Sequence, residues 1–316
     1  MNYQLIICLI LMVFLPHLSF SEIIRNGGDE GNFGEVDLPG DVIIFYKDGV
    51  NRFVCSNMVE TLILTPVVAT FTPQVIVGED KKTKIEVPGD AFVTTTYISI
   101  IDPINTPQLF EEQIKGLKIE LADDGDHTYK KIDSTVRVFL AYEEEGTITQ
   151  DFKKQLTITI PYPDVNQDGI VDGTTIGESS LKMYVLQDNK WVEVPGGVID
   201  ILANTLSADV RHFSLYVIRG IPFGKDLSKV YVYPNPFKPA IHNRMTFVDV
   251  TDYATIRIFT VAGELVKTIE VTPVDSGRPT WDGKNEDSEK VASGIYIYLI
   301  TTEEGYKVKG KIGIIR

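Results

Sequence analysis

The chain has 316 residues, of which 43% are hydrophobic and 23% charged, and its formal net charge is −14. At roughly 150 residues per domain, this length predicts two hydrophobic cores. Residues 230–316 hold 11 basic and 11 acidic side chains, so the net charge of 30 − 44 = −14 lies entirely upstream. This acidity argues against nucleic acid as a partner, because phosphates attract clustered Lys and Arg.

The N-terminus has the pattern of an export signal. Residues 5–15 are apolar throughout, and Ser19 and Ser21 supply the small side chains that a signal peptidase recognises. The apolar run is shorter than the ~20 residues that a membrane-spanning helix needs. We expect a signal peptide at residues 1–21, although no basic residue precedes the run; a short membrane anchor is the alternative. Cleavage would remove Cys8 and leave Cys55 as the only thiol, which excludes an intramolecular disulfide.

Residues 22–219 begin with a leader and continue as a predicted β domain. The polar, glycine-rich stretch within residues 22–41 offers little to bury, so we expect a loose leader there. In residues 42–219, short β-rich runs alternate with turn residues about every ten positions, a pattern typical of a β-sandwich. A single helical turn is expected at residues 108–115. The clearest predicted strands are residues 61–71, 84–87, 96–101, 135–141 and 156–162.

Residues 220–229 contain Pro222 and Gly224 and are the predicted linker to a second domain at residues 230–316. Residues 256–258 and 265–269 form a predicted hairpin around Ala262 and Gly263. Residues 306–314 alternate apolar side chains with lysines, which indicates an edge strand. The predicted fold is therefore all-β, with two or more Ig-like β-sandwich domains in tandem after the signal peptide.

Four motifs follow one another in residues 230–316. Pro234 and Pro236 favour an extended chain, Trp281 brings a large apolar surface to a core, and Gly294 is expected to allow close backbone approach. The motifs are YPNPFKP at 233–239, WDGKN at 281–285, VASGIY at 291–296 and KIGIIR at 311–316.

With Ile258, Phe259, Ala262, Gly263 and Val266, these motifs resemble the C-terminal module of bacterial type IX secretion cargo and the Ig-like domain of flagellar hook-capping proteins. The resemblance implies that a secretion or attachment machinery recognises the module after export. A structural β-sandwich without a sorting role is the alternative, because a fold does not fix a function.

Residues 74–219 more loosely resemble the β-sandwich domain of zona-occludens proteins, ankyrins and netrin receptors. The similarity lies in TKIEVPGDA at 83–91, LTITIPY at 156–162, Trp191 with Val192, and the tripeptide His212, Phe213 and Ser214. Residues 105–116 depart from the pattern of that domain.

The sequence DVNQDGIVD at 164–172 predicts a calcium loop. Side-chain oxygens recur at alternate positions with a glycine at the sixth, which is how an EF-hand loop begins. The twelfth position is Thr175 rather than Glu, so Glu178 is a candidate substitute. A solvated turn without metal is the alternative. The predicted ligands are Asp164, Asn166, Asp168, the carbonyl of Ile170, and Asp172.

In the eukaryotic domains that residues 74–219 resemble, a His-Phe-Ser tripeptide can cleave itself before the serine. By this resemblance, Ser214 would attack the Phe213 carbonyl with His212 as the base. The alternative is that Phe213 packs in the core while His212 and Ser214 face outward on one strand.

No other catalytic motif occurs in the sequence, so we predict a protein that is not an enzyme, with self-cleavage at Phe213/Ser214 as the alternative. The predicted function is a structural or adhesive protein, secreted or held at the outer cell surface by residues 230–316. A carbohydrate-binding or hydrolytic sandwich is a further alternative, with cell-surface polysaccharide as the partner and an exposed aromatic platform as its sign.

Overall fold

The computed structural model describes residues 23–26, 42–47, 50–55, 62–67, 71–93, 96–102, 128–143, 152–187 and 190–316. The predicted signal peptide at 1–21, the predicted helical turn at 108–115 and residues 27–41 of the predicted leader lie outside the described residues.

The described chain is built from strands joined by turns, and the all-β prediction is confirmed. Within the described residues, no helix has the length and apolar character needed to cross a bilayer. The part of the chain that the structure describes contains three single-turn 3-10 helices, at Asp133–Thr135, Glu178–Ser180 and Pro273–Asp275. The strands are β1 (Ile23–Asn26), β2 (Val42–Lys47), β3 (Val50–Cys55), β4 (Leu62–Val67), β5 (Gln74–Val77), β6 (Lys84–Val87), β7 (Thr96–Ile101), β8 (Lys130–Lys131), β9 (Arg137–Glu143), β10 (Leu156–Pro161), β11 (Lys182–Gln187), β12 (Lys190–Glu193), β13 (Val198–Asp200), β14 (Thr205–Val210), β15 (Leu215–Gly220), β16 (Tyr231–Tyr233), β17 (Met245–Val248), β18 (Ala254–Thr260), β19 (Leu265–Val271), β20 (Thr280–Trp281), β21 (Gly294–Thr301) and β22 (Lys307–Ile314).

The chain divides into two compact units, and their boundaries differ from those expected from the sequence. The first unit comprises residues 1–125, 132–162 and 182–218, and the second comprises residues 126–131, 163–181 and 219–316. The segment 163–181 therefore joins the second unit, where Phe223 N–H donates to the Thr175 carbonyl (2.6 Å). The segment 220–229, predicted as a linker, is also part of that unit. Strand β1 lies in the stretch predicted to be a loose leader.

The described strands of the first unit form two sheets. The larger sheet has the strand order β1-β2-β3-β4-β7-β9-β15-β11-β12, and the smaller has the order β13-β14-β10-β6-β5. Strand β14 shows why these residues pair as they do: Leu206, Ala208 and Val210 are buried, and the polar residues between them face outward. Strand β15, in contrast, is buried at every position, which is typical of a strand inside a sheet with both faces covered.

A buried ion network joins the two sheets of the first unit. Arg137 of β9 is 4% exposed and donates to Thr83 Oγ1 in the β5–β6 turn (3.1 Å). Its guanidinium also pairs with Asp80 (3.1 Å) and with Asp102 at the end of β7 (3.2 Å). Burial acts to raise the pKa of Asp80, but hydrogen bonds from Thr83, Lys82 and Arg137 outweigh it and hold this pKa below its usual range.

The C-terminal part of the second unit is a sandwich of a three-stranded sheet, β16-β17-β20, and a four-stranded sheet, β19-β18-β21-β22. Its core contains Trp281, which is 2% exposed, together with Phe247, Ile256 and Ile300, which are fully buried. The predicted tryptophan core, the hairpin of β18 and β19, and the position of the lysine-bearing strand β22 at a sheet edge are confirmed.

The prediction for Gly294 was wrong. A Cβ at Gly294 would meet only the Tyr296 ring, at 3.9 Å, so the position is open. The close approach occurs at Gly310 of β22, where a Cβ would lie 2.3 Å from Tyr298 Oη. A buried Tyr298 ring covers this glycine, and burial raises the pKa of its hydroxyl.

Candidate functional site

The YPNPFKP motif lies along the C-terminal strand of the second unit. Asn235 Nδ2 donates to the Lys311 carbonyl (2.9 Å), and Gly313 N–H donates to Asn235 Oδ1 (2.9 Å). The Asn235 side chain thus bonds the edge of β22 as a neighbouring strand would. Two residues later, Phe237 N–H donates to the Gly313 carbonyl (2.7 Å), and Ile315 N–H donates to the Phe237 carbonyl (3.0 Å).

The WDGKN motif packs against the YPNPFKP motif at Gly283. Gly283 has φ of +74°, which disfavours any residue with a side chain. A Cβ on Gly283 would also lie 2.9 Å from Phe237 Cε1. Phe237 is fully buried, so the glycine allows the turn after Trp281 to pack directly on the Phe237 ring.

Arg316 connects the remaining motifs. Its guanidinium donates from Nη2 to the Gly283 carbonyl (3.0 Å) and from Nε to the Val291 carbonyl. Its backbone N–H donates to Ser293 Oγ (2.9 Å). A single arginine therefore holds the WDGKN and VASGIY loops against the end of the last strand.

Residues from all four motifs thus meet at one end of the sandwich. We call this set the motif cluster: Asn235, Phe237, Gly283, Val291, Ser293, Gly313 and Arg316. Trp281 supports the cluster from the core side, because its Nε1 donates to the Lys284 carbonyl (2.7 Å) and so closes the turn. The motifs are up to 83 positions apart in the sequence (316 − 233), yet the structure brings them together.

The predicted calcium loop is a tight turn in the second unit. Asp164 is 1% exposed, and its Oδ2 accepts from Gly169 N–H (3.3 Å). Asp168 Oδ1 accepts from Ile170 N–H (2.9 Å), and Asp172 Oδ2 accepts from Val165 N–H (2.9 Å). Asn166 is held in the same turn by Asp168, whose Oδ2 accepts from Asn166 Nδ2 (2.8 Å).

Glu178 also reaches this loop. Its backbone N–H donates to the Gly169 carbonyl (3.0 Å), and its side chain is buried. Gly169 is therefore bonded to both buried acidic residues: its N–H donates to the Asp164 side chain, and its carbonyl accepts from the backbone N–H of Glu178.

The five predicted ligands lie in one turn, and their oxygen chemistry suits calcium. In this conformation, however, the three aspartates accept from backbone and amide N–H groups. Among the described residues, no group of three or more His, Cys, Asp or Glu side chains is arranged to hold a metal ion. Calcium binding at this loop stays a prediction, since it requires these carboxylates to turn toward a common centre.

The tripeptide His212, Phe213 and Ser214 lies just before β15 in the first unit. Ser214 Oγ donates to the Leu186 carbonyl (3.0 Å), while the His212 ring contacts Gln187 Nε2 (2.8 Å) and the Phe213 carbonyl (3.4 Å). In this conformation the serine hydroxyl is directed to a backbone acceptor. The Phe213 ring packs against two further aromatic rings, with centroids 4.7 Å from Phe152 and 5.8 Å from Phe139.

Two features of the structure were missed at the sequence level. The pairing of Arg137 with Asp80 and Asp102 joins residues up to 57 positions apart, although an arginine inside an apolar run was a usable sign. Arg316 was noted only as part of a motif, because no local pattern indicates which carbonyls a terminal arginine will reach.

A comparison with protein families supports an Ig-like domain in the second unit. Residues 241–305 match the family model of the FlgD Ig-like domain. The match covers less than half of the chain and includes Trp281, while the YPNPFKP motif and strand β22 lie outside it. No curated protein gives a significant match to the chain.

Solved structures with some similarity include surface proteins. PorZ of Porphyromonas gingivalis, a surface component of the type IX secretion system, is 14% identical, with 91% of this chain and 47% of that chain covered and a TM-score of 0.29. Latent PorU of the same organism is 12% identical, with 87% and 28% covered and a TM-score of 0.22. The Epf adhesin domain of Streptococcus pyogenes is 10% identical, with 86% and 91% covered and a TM-score of 0.21. The chain spans less than half of the first two proteins, and TM-scores this low carry no argument about function.

Proposed function

We propose that the chain is a structural or adhesive protein of the bacterial cell surface, whose second unit is a sorting or attachment module. One observation carries the proposal: the four motifs, which resemble those of type IX secretion cargo, meet in the motif cluster. Residues that only stabilise a sandwich are expected to be spread over its core. Here, polar residues such as Asn235 and Arg316 hold loops at one end, where a secretion machinery can recognise them.

The experiment compares the location of the full chain with that of variants in its native host. Deleting residues 230–316 would be a poor test, because residues 163–181 belong to the same unit and would lose their neighbours. We expect Asn235→Ala and Arg316→Ala to retain the chain inside the cell, whereas Lys309→Ala, an exposed change on β22, reaches the surface normally. Protease shaving of intact cells measures the exposed fraction. Surface exposure of a folded Asn235→Ala, Arg316→Ala double variant at the wild-type level would contradict the sorting role.

The chain is proposed not to be an enzyme, with self-cleavage between Phe213 and Ser214 as the alternative. Self-cleavage needs Ser214 Oγ to leave the Leu186 carbonyl and approach the Phe213 carbonyl. Denaturing electrophoresis of the purified chain distinguishes the two proposals. A single full-length band supports the protein without activity, and two fragments that Ser214→Ala abolishes would establish self-cleavage.

We also propose calcium as a ligand of residues 164–172. The support is the alternation of oxygen-bearing side chains in residues 164–172 and the convergence of Asp164 and Glu178 on one glycine, because calcium prefers oxygen ligands gathered in a tight turn. A ligand that binds only the native state raises its stability. We expect millimolar calcium to raise the melting temperature relative to chelator, and Asp164→Asn to remove this response.

Asp200 offers a matched control for the calcium test. Its Oδ1 accepts from Leu202 N–H and Ala203 N–H (both 3.0 Å), so it is an aspartate in a similar turn without the calcium pattern. Asp200→Asn should leave the calcium response intact. If calcium leaves the melting temperature of the wild-type protein unchanged, the loop is a solvated turn without metal.

A further inference from the structure

The outer face of the three-stranded sheet carries an exposed pair of aromatic rings. Tyr231 and Tyr233 of β16 are 54% and 47% exposed, and their rings stack with centroids 6.2 Å apart and an angle of 30° between planes. Val232, between them, packs toward the core. Strand alternation thus fixes both rings on the same outer face of the edge strand.

Single exposed hydrophobic side chains are common on protein surfaces and need no explanation. Two large exposed rings side by side, with an angle of 30° between their planes, are different, because together they form an apolar platform larger than either ring. Platforms of this kind suit flat ligands with apolar faces, such as sugar rings, while the tyrosine hydroxyls stay in water.

Polar side chains continue this face across the sheet. Tyr233 lies opposite Thr246 of β17, and Thr246 lies opposite Thr280 of β20. Arg244 is exposed and its Nη1 donates to Thr280 Oγ1 (3.3 Å), which places the guanidinium beside this row.

A second arginine extends the face at its other end. Arg278 precedes Thr280 by two positions, so strand alternation directs both side chains to the same side. The register continues this far, because Phe247 N–H donates to the Pro279 carbonyl (2.9 Å). The Arg278 side chain is partly exposed, so its positive charge adds to that of Arg244.

We propose that this platform, formed by Tyr231, Tyr233, Arg244, Thr246, Arg278 and Thr280, binds a polysaccharide that carries carboxylate groups. Sugar rings stack on the tyrosines, the threonine hydroxyls bond to sugar hydroxyls, and the guanidiniums pair with carboxylates. Arginine suits this last role because its planar fork matches the two oxygens of a carboxylate. This binding goes beyond the sorting role and does not depend on it, since the platform shares no residue with the motif cluster.

The charge of these six residues favours an acidic polysaccharide over a neutral one. They include two positive side chains and no negative one. Nucleic acid, which also combines flat rings with anionic groups, is disfavoured because residues 230–316 hold 11 basic and 11 acidic side chains and so lack the excess of Lys and Arg that a dense row of phosphates requires. A single polysaccharide chain with one carboxylate per sugar has a lower charge density than duplex DNA, which carries two phosphates per base pair, and two arginines can bind it locally.

Affinity electrophoresis of the purified full-length chain tests the proposal, with polygalacturonate cast in one gel and dextran in another. We expect retardation by polygalacturonate and none by dextran. Tyr231→Ala with Tyr233→Ala should weaken the apparent affinity roughly ten-fold, a loss of the size expected for two stacking rings. Arg244→Gln, an exposed change that leaves the core untouched, should weaken it several-fold. Circular dichroism melting confirms that each variant is folded.

Tyr306→Ala is the matched control, because Tyr306 is 50% exposed but lies in the β21–β22 turn of the other sheet. It should bind like the wild type. Equal migration of the wild type in both gels, or equal retardation by dextran, would overturn the proposal. Retardation by polygalacturonate that persists in both the tyrosine and the Arg244 variants would place the binding elsewhere and would also overturn it.

Discussion

The two units differ in what accompanies their apolar cores. In the first unit, the buried Arg137 of β9 pairs with Asp80 and Thr83 in the β5–β6 turn of the other sheet, and with Asp102 next to β7 in its own sheet. In the second unit, the sheets meet through an apolar core around Trp281, and the Arg316 guanidinium at its edge donates to neutral carbonyls.

The difference shows where each unit is vulnerable. A buried ion pair contributes little net stability over an apolar replacement, but removing one partner leaves an uncompensated charge. An apolar core has no such dependence on charge, and it loses stability mainly when a cavity is created. The first unit should therefore be sensitive to charge and acid, and the second to the volume of its core.

The largest expected effect comes from Trp281→Ala. Removing a fully packed indole costs about 3–5 kcal/mol, because it combines lost burial with a cavity. Hydrogen exchange should accelerate in β21 and stay unchanged in β10. The control is Trp191→Ala, since Trp191 is only partly buried in the short strand β12. An equal loss from both substitutions would contradict the core role of Trp281.

Arg137→Met should destabilise the first unit by about 3 kcal/mol, toward the lower end for a broken buried pair. The lower end applies because Asp80 and Asp102 retain 16% and 15% exposure of their side chains. Urea denaturation with hydrogen exchange in β10 measures the loss. The triple variant Arg137→Met, Asp80→Asn, Asp102→Asn should recover part of it, and no recovery would show that charge imbalance is not the cause.

Arg316→Ala should cost about 1–2 kcal/mol in the second unit, because it removes two side-chain hydrogen bonds near the surface, to the Gly283 and Val291 carbonyls. Exchange of the amides of Gly283 and Val291 should increase. Lys311→Ala, an exposed change on β22, is the control and should have no measurable effect on these amides.

The smallest effect expected is a dependence of the first unit on acid. The pKa of Asp80 in the folded chain lies below its unfolded value, so the stabilisation is present above pH ~4 and is lost as the pH falls through the folded pKa. The free energy of unfolding, measured by urea denaturation, should decrease from pH 7 to pH 2.5 in both units. The decrease should be larger in the first unit, observed at β10, than in the second, observed at β21. In Arg137→Met this difference should shrink, and an undiminished acid response there would argue against the network.

Regular alternation explains why much of the fold could be predicted from the sequence. Strands β6 and β7 lie at the predicted positions, and the β18–β19 hairpin and the Trp281 core follow from local pattern. Strand β15 shows the limit, because a strand buried on both faces has no alternation to detect. The loop 164–172 was recognised by composition. Its place in the second unit depends on the residues that follow it, which bond to partners 48 and 95 positions away: Phe223 N–H donates to the Thr175 carbonyl, and Ser179 Oγ donates to the Val274 carbonyl (2.6 Å).

The sequence by itself determined the all-β class, the period of the strands and the order of the four C-terminal motifs. These features depend on residues that are neighbours in the chain, where side-chain alternation and turn preference act directly. Only the tertiary structure decided that Arg316 holds three motifs together, that Arg137 joins two sheets, and that Tyr231 and Tyr233 share a face with Arg244. Each of these depends on which strands pair, and pairing is selected by burial over the whole domain rather than by any local sequence.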